Sequence, residues 1–266
     1  MTMKFSVLGS GSRGNSVYIE SEGTALLIDA GFSGKQLESR LVRVDRKLQS
    51  VGAILLTHEH NDHIRGAGIV ARRCSIPVYA NEGTFRGGDG KLGKLQRRRE
   101  FATGERFEFG GLEIRSFRTL HDTSDPVGYV ISDGDFTIGY CTDTGKITHL
   151  MAARLLNCDA LILEFNHDPE MLKAGPYPPA LQQRVRSSHG HLANEDAALF
   201  LRQLQNRRLR CTVLAHLSET NNLPKIALEA ALRVQNETNC ALVIARQDMP
   251  TQLIDLSLPH SSSLRR

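Results

Sequence analysis

Four side chains able to hold a metal ion, His58, His60, Asp62 and His63, fall within six consecutive residues of the stretch "THEHNDHIRG", Thr57 to Gly66. They follow at once on an apolar run, and "VGAILLTH", Val51 to His58, reads as a buried strand. No other feature constrains the fold as much. A buried strand must end where imidazole and carboxylate groups, the donors suited to zinc, iron or manganese, are presented together. In an extended segment residues i and i+2 face the same way, so His58 and His60 meet one ion. A turn after His60 re-aims Asp62 and His63 toward a second point nearby. The bland alternative is a solvated polar loop, and four donors at this density argue against it.

The start of the chain raises a rival. In "KFSVLGSGSRGNSVYIE", Gly9, Gly11 and Gly14 fit G-x-G-x-x-G, and Asp29 follows downstream. A dinucleotide site requires these glycines to open a helix. Val17, Tyr18 and Ile19 are strand formers instead, and "TALLIDAG", Thr24 to Gly31, is a further apolar strand ending in an acid. The chain is therefore read as having no dinucleotide cofactor. The glycines make either a plain turn or a loop that lets backbone approach closely.

Beyond this point the pattern predicts helices at Ser33 to Leu41, with Ser33 as cap, and at Gly66 to Cys74. A strand is expected at Ile76 to Ala80, and short strands alternate with turns from Glu105 to Tyr140. "THLMAARLLN" reads as helix and "DALILEFN" as strand. The stretch from Asn166 to His191, with Pro169, Pro176, Pro178 and Pro179, reads as loop. Asn194 caps a helix to about Arg207, "CTVLAHLS" is a strand, Pro224 to Val234 a helix and "ALVIAR" a strand, before a frayed tail at about 258–266. With no repeat and no linker, residues 1–266 are expected to form a single domain. Strands crowd both halves and helices follow them, which suits two sheets with helices outside.

Composition narrows the function classes. At 266 residues and 40% hydrophobic, the chain can bury a real core, and no stretch approaches the about 20 apolar residues of a membrane span. The N-terminus lacks a secretory pattern, so a cytoplasmic protein is expected. Five scattered cysteines without C-x-x-C read as reduced thiols. A net charge of +4 permits an anionic partner without demanding one.

The motif H-x-H-x-D-H after a strand resembles that of the metallo-β-lactamase superfamily. The resemblance implies an α/β fold: a four-layer αββα sandwich of two central mixed sheets with helices on both outer faces. It also implies further site residues in chain order. Asp29 in "LLID" matches the acid that orients the metal loop. His121 in "TLHDTSDPVGY", Asp143 in "GYCTDTG" and His216 in "LAHLSETNN" match the remaining ligands. Two divalent ions follow from the resemblance. His58, His60 and His121 hold one; Asp62, His63 and His216 hold the other; Asp143 bridges them, and a bridging hydroxide attacks the substrate. Seven nitrogen and oxygen donors suit zinc, manganese or iron alike. Cys141, on the same side of its strand as Asp143, is either a further ligand or apolar packing.

"LGSGSRGNS", "HDTSDPVGY", "TDTG", "LEFNHDPEML", "GPYP", "GHLAN" and "HLSETNN" together resemble the YycJ/WalJ-type bacterial proteins from Lys4 to about Asp255. That resemblance implies DNA as substrate and exonucleolytic cleavage from the 5′ end. Ala193 departs from the "GHLSN" more usual there. Asp62 and His191 are the candidate catalytic residues, His191 as the acid that protonates the leaving oxygen, since histidine titrates near neutrality. Ser12, Asn15, His167 and Arg184 are candidate substrate contacts, with Ser12 and Asn15 alternatively supporting the metal loop. "KLGKLQRRR", Lys91 to Arg99, has five basic residues in nine positions; it is either a phosphate track or a solvated face. The remaining alternatives are a small-molecule phosphodiesterase or thioester hydrolase of the same fold, a ribonuclease, and a non-catalytic metal-binding accessory protein. No membrane partner is expected, and the residues specify no oligomeric state.

Overall fold

A computed structural model of the chain describes residues 2–204, 208–234 and 240–258. The expected tail from 259 onward and the extension of the 194 helix to Arg207 lie outside these residues. The first sheet is built from β1 (Lys4–Gly9), β2 (Ser16–Ser21), β3 (Thr24–Ile28), β4 (Ala53–Leu55), β5 (Val78–Ala80) and β6 (Arg98–Glu100), side by side in that order. The second takes β7 (Arg106–Phe109), β8 (Leu112–Arg118), β9 (Val127–Ser132), β10 (Thr137–Cys141), β11 (Ala160–Glu164), β12 (Cys211–Ala215) and β13 (Ala241–Ile244), again in chain order. A short β14 (Ile254–Asp255) returns to pair with β1. Both sheets are mixed: β1 to β3 and β7 to β10 pair antiparallel, while β3 to β6 and β10 to β13 pair parallel.

Strand alternation dictates the layers. In β3, Leu26 and Ile28 enter the core between the sheets, while Ala25 and Leu27 face outward into a second apolar layer. In β11, Ala160 and Ile162 face the central core and Leu161 and Leu163 a third. Strands apolar on both faces must be covered on both, and helices supply the outer cover. Of α1 (Gly34–Val42), α2 (Asn61–Ile64), α3 (Ala67–Cys74) and α4 (Glu82–Leu92), the helices α1, α3 and α4 cover the first sheet. Of α5 (His149–Leu155), α6 (Pro169–Ala174), α7 (Pro179–Val185), α8 (Asn194–Leu204) and α9 (Pro224–Val234), the helices α5, α8 and α9 cover the second. The result is the four-layer αββα sandwich. Among the described residues no helix is long and apolar enough to cross a membrane.

Several elements differ from the sequence reading. The strand expected over Val51 to His58 is only Ala53–Leu55 in extent. The stretch read as loop carries α6 and α7, because Pro169 and Pro179 each occupy the first helical turn, where no N–H is needed. Helix α4 was hidden by Gly83, Gly87, Gly88 and Gly90. Asn81 caps it by accepting from the Thr84 N–H at 2.9 Å. A Cβ on Gly87 would lie 2.6 Å from Cγ of Glu59, so the bare helix face lets the metal loop lie against it. Ser33 caps α1 in a capping box with Gln36.

Glycine also seats the opposite flank of that loop. The segment Ala30–Gly31 runs against it: the Ala30 N–H donates to His63 O at 2.8 Å and the Gly66 N–H to Ala30 O at 2.7 Å. A Cβ on Gly31 would fall 1.7 Å from the carbonyl oxygen of Asp62. Gly31→Ala is expected to lower the unfolding free energy by about 2–3 kcal/mol in urea denaturation, the cost of forcing backbone apart. Gly90→Ala, at an open helical position, is expected to raise it by about 0.5–1 kcal/mol.

Candidate metal centre

The site stands at one edge of the sandwich because strands that run the same way end there. Asp29 follows β3, the metal loop follows β4, His121 follows β8, Asp143 follows β10, Glu164 ends β11 and His216 follows β12. Asp29, Asp143 and His216 share a left-handed backbone, with φ of 58°, 55° and 56°. A left-handed residue just past a strand turns its side chain off the ladder, a conformation that persists only where the surroundings hold it. His60 is the last extended residue before α2, which carries Asp62 and His63 into the centre.

The donors converge in overlapping groups whose ligating atoms lie within 4.8 Å of one another. These are His58, His60 and His121; Asp62, His63 and His216; His58, His63 and Asp143; and Asp143, Glu164, His191 and His216. Nδ1 of His60 lies 3.2 Å from His58 Nε2 and 3.3 Å from His121 Nε2. Asp143 stands between the two halves: Oδ1 is 3.8 Å from His121 Nε2 and 3.6 Å from His216 Nε2, and Oδ2 is 3.5 Å from His63 Nε2. Asp143 Oδ2 and His216 Nε2 are buried and lack a hydrogen-bond partner among the described residues. Orphaned, inward-facing atoms in an all-nitrogen and oxygen donor set fit divalent metal ions.

The outer nitrogen of most rings is tied down. His63 donates Nδ1–H to Asp29 at 2.7 Å, and Asp29 also accepts from the Thr57 N–H and hydroxyl at 2.9 and 2.8 Å. His121 donates Nδ1–H to the Gly190 carbonyl at 3.2 Å. His216 and His191 both donate Nδ1–H to Oε1 of Glu164 at 2.8 Å. Such partners fix tautomer and ring direction. Glu164 is the functional residue that sequence reasoning passed over. Its only signal was an acid closing the buried run "ALILE"; it is fully buried and its other oxygen accepts from the N–H groups of Thr144 and Leu192.

Burial is the largest single influence on each group here, and it opposes charge. For Asp62 the attraction of His63 and His216 overcomes it and holds the carboxyl far below its usual range. Asp143 is likewise lowered, by His216 and His63. Asp143, Asp62 and Glu164 overcome burial at His216 and lift it to about 10, and Asp143, Asp62 and Asp29 raise His63. His58, buried among other imidazoles, falls well below its ordinary value, and His60 is lowered for the same reasons.

The other nominated residues divide. Asn15 is buried and braces the metal loop: its Nδ2 donates to Asp62 Oδ2 at 3.2 Å, and its backbone N–H donates to the Asp62 carbonyl at 2.7 Å. Its neighbour Ser10 donates to Asn15 Oδ1 at 3.2 Å and accepts from the His216 N–H at 2.8 Å. The glycine-rich opening loop thus ties the two halves of the centre together. Ser12 is exposed, in a pocket beside Asp62. His191 joins the centre, with its ring 5.0 Å from that of His121 and 5.1 Å from that of His216. His167 is in none of the converging groups; it is buried, and burial lowers its pKa to about 4. Arg184 is bound by Asp122 at 2.6 and 2.5 Å. Cys141 packs in the outer core of the second sheet, and burial raises its thiol pKa. In the basic run, Arg98 lies over the Phe85 ring and Lys91 donates to the Glu59 carbonyl at 3.1 Å.

An αββα sandwich with histidines and carboxylates gathered at its strand ends defines a class of metal-dependent proteins, and the chain belongs to the metallo-β-lactamase superfamily. Residues 24–216 match the Beta-lactamase superfamily domain. The chain is 37% identical to exodeoxyribonuclease YycJ of Bacillus anthracis, over 89% of this chain and 90% of that protein. It is 40% identical to exodeoxyribonuclease WalJ of Streptococcus pneumoniae, over 84% and 85% respectively. Its fold superposes on the metallo-β-lactamase fold protein YhfI of Bacillus subtilis with a TM-score of 0.73, covering 94% of this chain and 99% of that one at 19% identity.

The raised histidines make metal uptake pH-dependent. Ligands must be deprotonated, and the carboxylates around His63 and His216 favour the protonated rings in the metal-free protein. Calorimetric titration with metal in buffers of different ionisation enthalpy is expected to show net proton release at pH 7. Affinity is expected to rise with pH as both rings lose their protons. Proton-neutral binding would contradict this account.

Proposed function

We propose that the protein is a dinuclear metal-dependent exodeoxyribonuclease, one catalytic domain that removes nucleotides from DNA 5′ ends. The observation that carries this reading is the pair of three-residue donor groups with Asp143 reaching both, in a chain similar along most of its length to exodeoxyribonucleases. His58, His60 and His121 would hold one ion, Asp62, His63 and His216 the other, and Asp143 both. Zinc, manganese and iron all suit these donors. When bound, divalent ions supply a nucleophile at neutral pH and offset charge developing on phosphate.

The chain's own residues do the rest. Asp29, Thr57 and Asn15 hold the metal loop rigid before substrate arrives. His191 commits Nδ1–H to Glu164, so Nε2 is the nitrogen left to exchange a proton with the leaving oxygen. Its side chain is 22% exposed while those of its partners are buried, as a group that meets substrate must be.

The test is degradation of a 5′-phosphorylated, end-labelled duplex by protein loaded with manganese and, separately, zinc. Wild type is expected to release mononucleotides stepwise. Asp62→Ala abolishes release. His191→Ala lowers kcat by about 10²–10⁴-fold with metal content retained, the range for loss of a general acid. Absence of cleavage with either metal would overturn the reading and leave small phosphodiesters and thioesters as the substrates to try.

A further inference from the structure

A second concavity shares Asp62 with the metal centre. It encloses 540 Å³, a size that holds small ligands, and Ser12, Arg13, Arg40, Asn61, Arg65 and Asp248 contribute to its lining. Three arginines and two aspartates line it. Arg40 is partly buried and, among the described residues, its guanidinium hydrogen-bonds to backbone, donating to the carbonyls of Leu8 at 2.6 Å and Gln247 at 2.9 Å while lying over the Phe32 ring. Burial first, and then the charge of Arg43, push its pKa down, against the opposing pull of Asp248. Arg65 follows the metal loop directly, is exposed, and makes no ion pair among the described residues. Arg13 pairs with Glu219 at the exposed rim, where solvent screens the interaction.

The two acids in this lining already have partners, Asp248 in part Arg40 itself. Asp248 receives two bonds of 3.0 Å from Arg246, and Asp62 faces the metal centre. Arg184, another arginine near the centre, is neutralised by Asp122. Three arginines, Arg65 with no ion pair among the described residues and Arg13 held only by an exposed one, therefore face a single pocket beside a candidate metal ligand.

We propose that the pocket binds a second phosphate group of the nucleic-acid substrate, on a nucleotide adjoining the bond cut at the metal centre, through Arg13, Arg40 and Arg65. This rests on the nuclease reading above. Guanidinium groups match phosphate oxygens in paired hydrogen bonds, and two anchored phosphates hold the strand in register over the metals. The phosphate is either a terminal monoester or an internal diester, and the two give different binding patterns.

The test measures equilibrium binding of a phosphorothioate-linked, fluorescent single strand to metal-loaded wild type, Arg13→Ala, Arg65→Ala and Arg65→Lys, by anisotropy across a salt series. Metal content and melting temperature are checked in parallel. Arg40 is left alone because its side chain holds Leu8 and Gln247 in place. Each alanine variant is expected to bind about tenfold more weakly and to lower the slope of log K against log salt by about 0.7. Arg65→Lys recovers the slope and only part of the affinity. If the loss appears only with a 5′-phosphorylated strand, the pocket takes the terminal monoester; if it appears equally with a 5′-hydroxyl strand, it takes an internal diester. Wild-type affinity and slope in both alanine variants, with DNA still degraded by wild type, would overturn the pocket assignment and leave the nuclease reading standing. A wild-type protein that neither binds nor degrades DNA would overturn both.

Discussion

Two buried carboxylates hold the centre together, one at the end of a strand in each sheet. Asp29 follows β3 and Glu164 ends β11, and both are fully buried. A buried carboxylate is tolerated only when hydrogen bonds replace the water it has lost. Asp29 meets that demand with the Thr57 N–H, the Thr57 hydroxyl and His63. Glu164 meets it with His191, His216 and the N–H groups of Thr144 and Leu192. Every one of these partners is in, or next to, a segment that carries a candidate ligand or acid. The need to satisfy two buried charges thus sets the directions of three imidazole rings.

The rest of the architecture serves this arrangement. The sandwich brings strand ends of both sheets to one edge, and close backbone contact then locks the loops that leave them. Gly31 and Gly87 admit the metal loop on its two flanks, because a Cβ at either would strike it. Asn15 and Ser10 bind the Asp62 side to the His216 side. Preorganisation of this kind is what a metal centre requires, since its donors must be held close in the arrangement an ion will use. The lowered pKa of His58 among its imidazole neighbours and the raised pKa of His216 among carboxylates are two expressions of that crowding.

Much of this was legible in the chain. The H-x-H-x-D-H cluster marks a candidate metal site because its donors are local, and the unbroken apolar run of β3 announces a strand covered on both faces. The cap of helix α1 was likewise written in Ser33. Helix α4 was not, since Gly87 and Gly83 answer to Glu59 and Asp125 rather than to helix propensity. The prolines of α6 and α7 suggested breaks and proved to be starts.

The division follows from range. What the sequence determined by itself were features set within a few residues: donor spacing, apolar strand runs, the Ser33 cap, and the failure of Gly9, Gly11 and Gly14 to open a helix. What only tertiary structure decided were features made between distant segments. Glu164 meets partners 20, 27, 28 and 52 residues away, so its part is invisible to any local pattern. The arginine pocket joins residues from Ser12 to Asp248, brought together because β1, the metal loop and the segment after β13 end at the same edge. Local spacing can specify which atoms are able to hold a metal; only packing can bring them, and the charges around them, to one point.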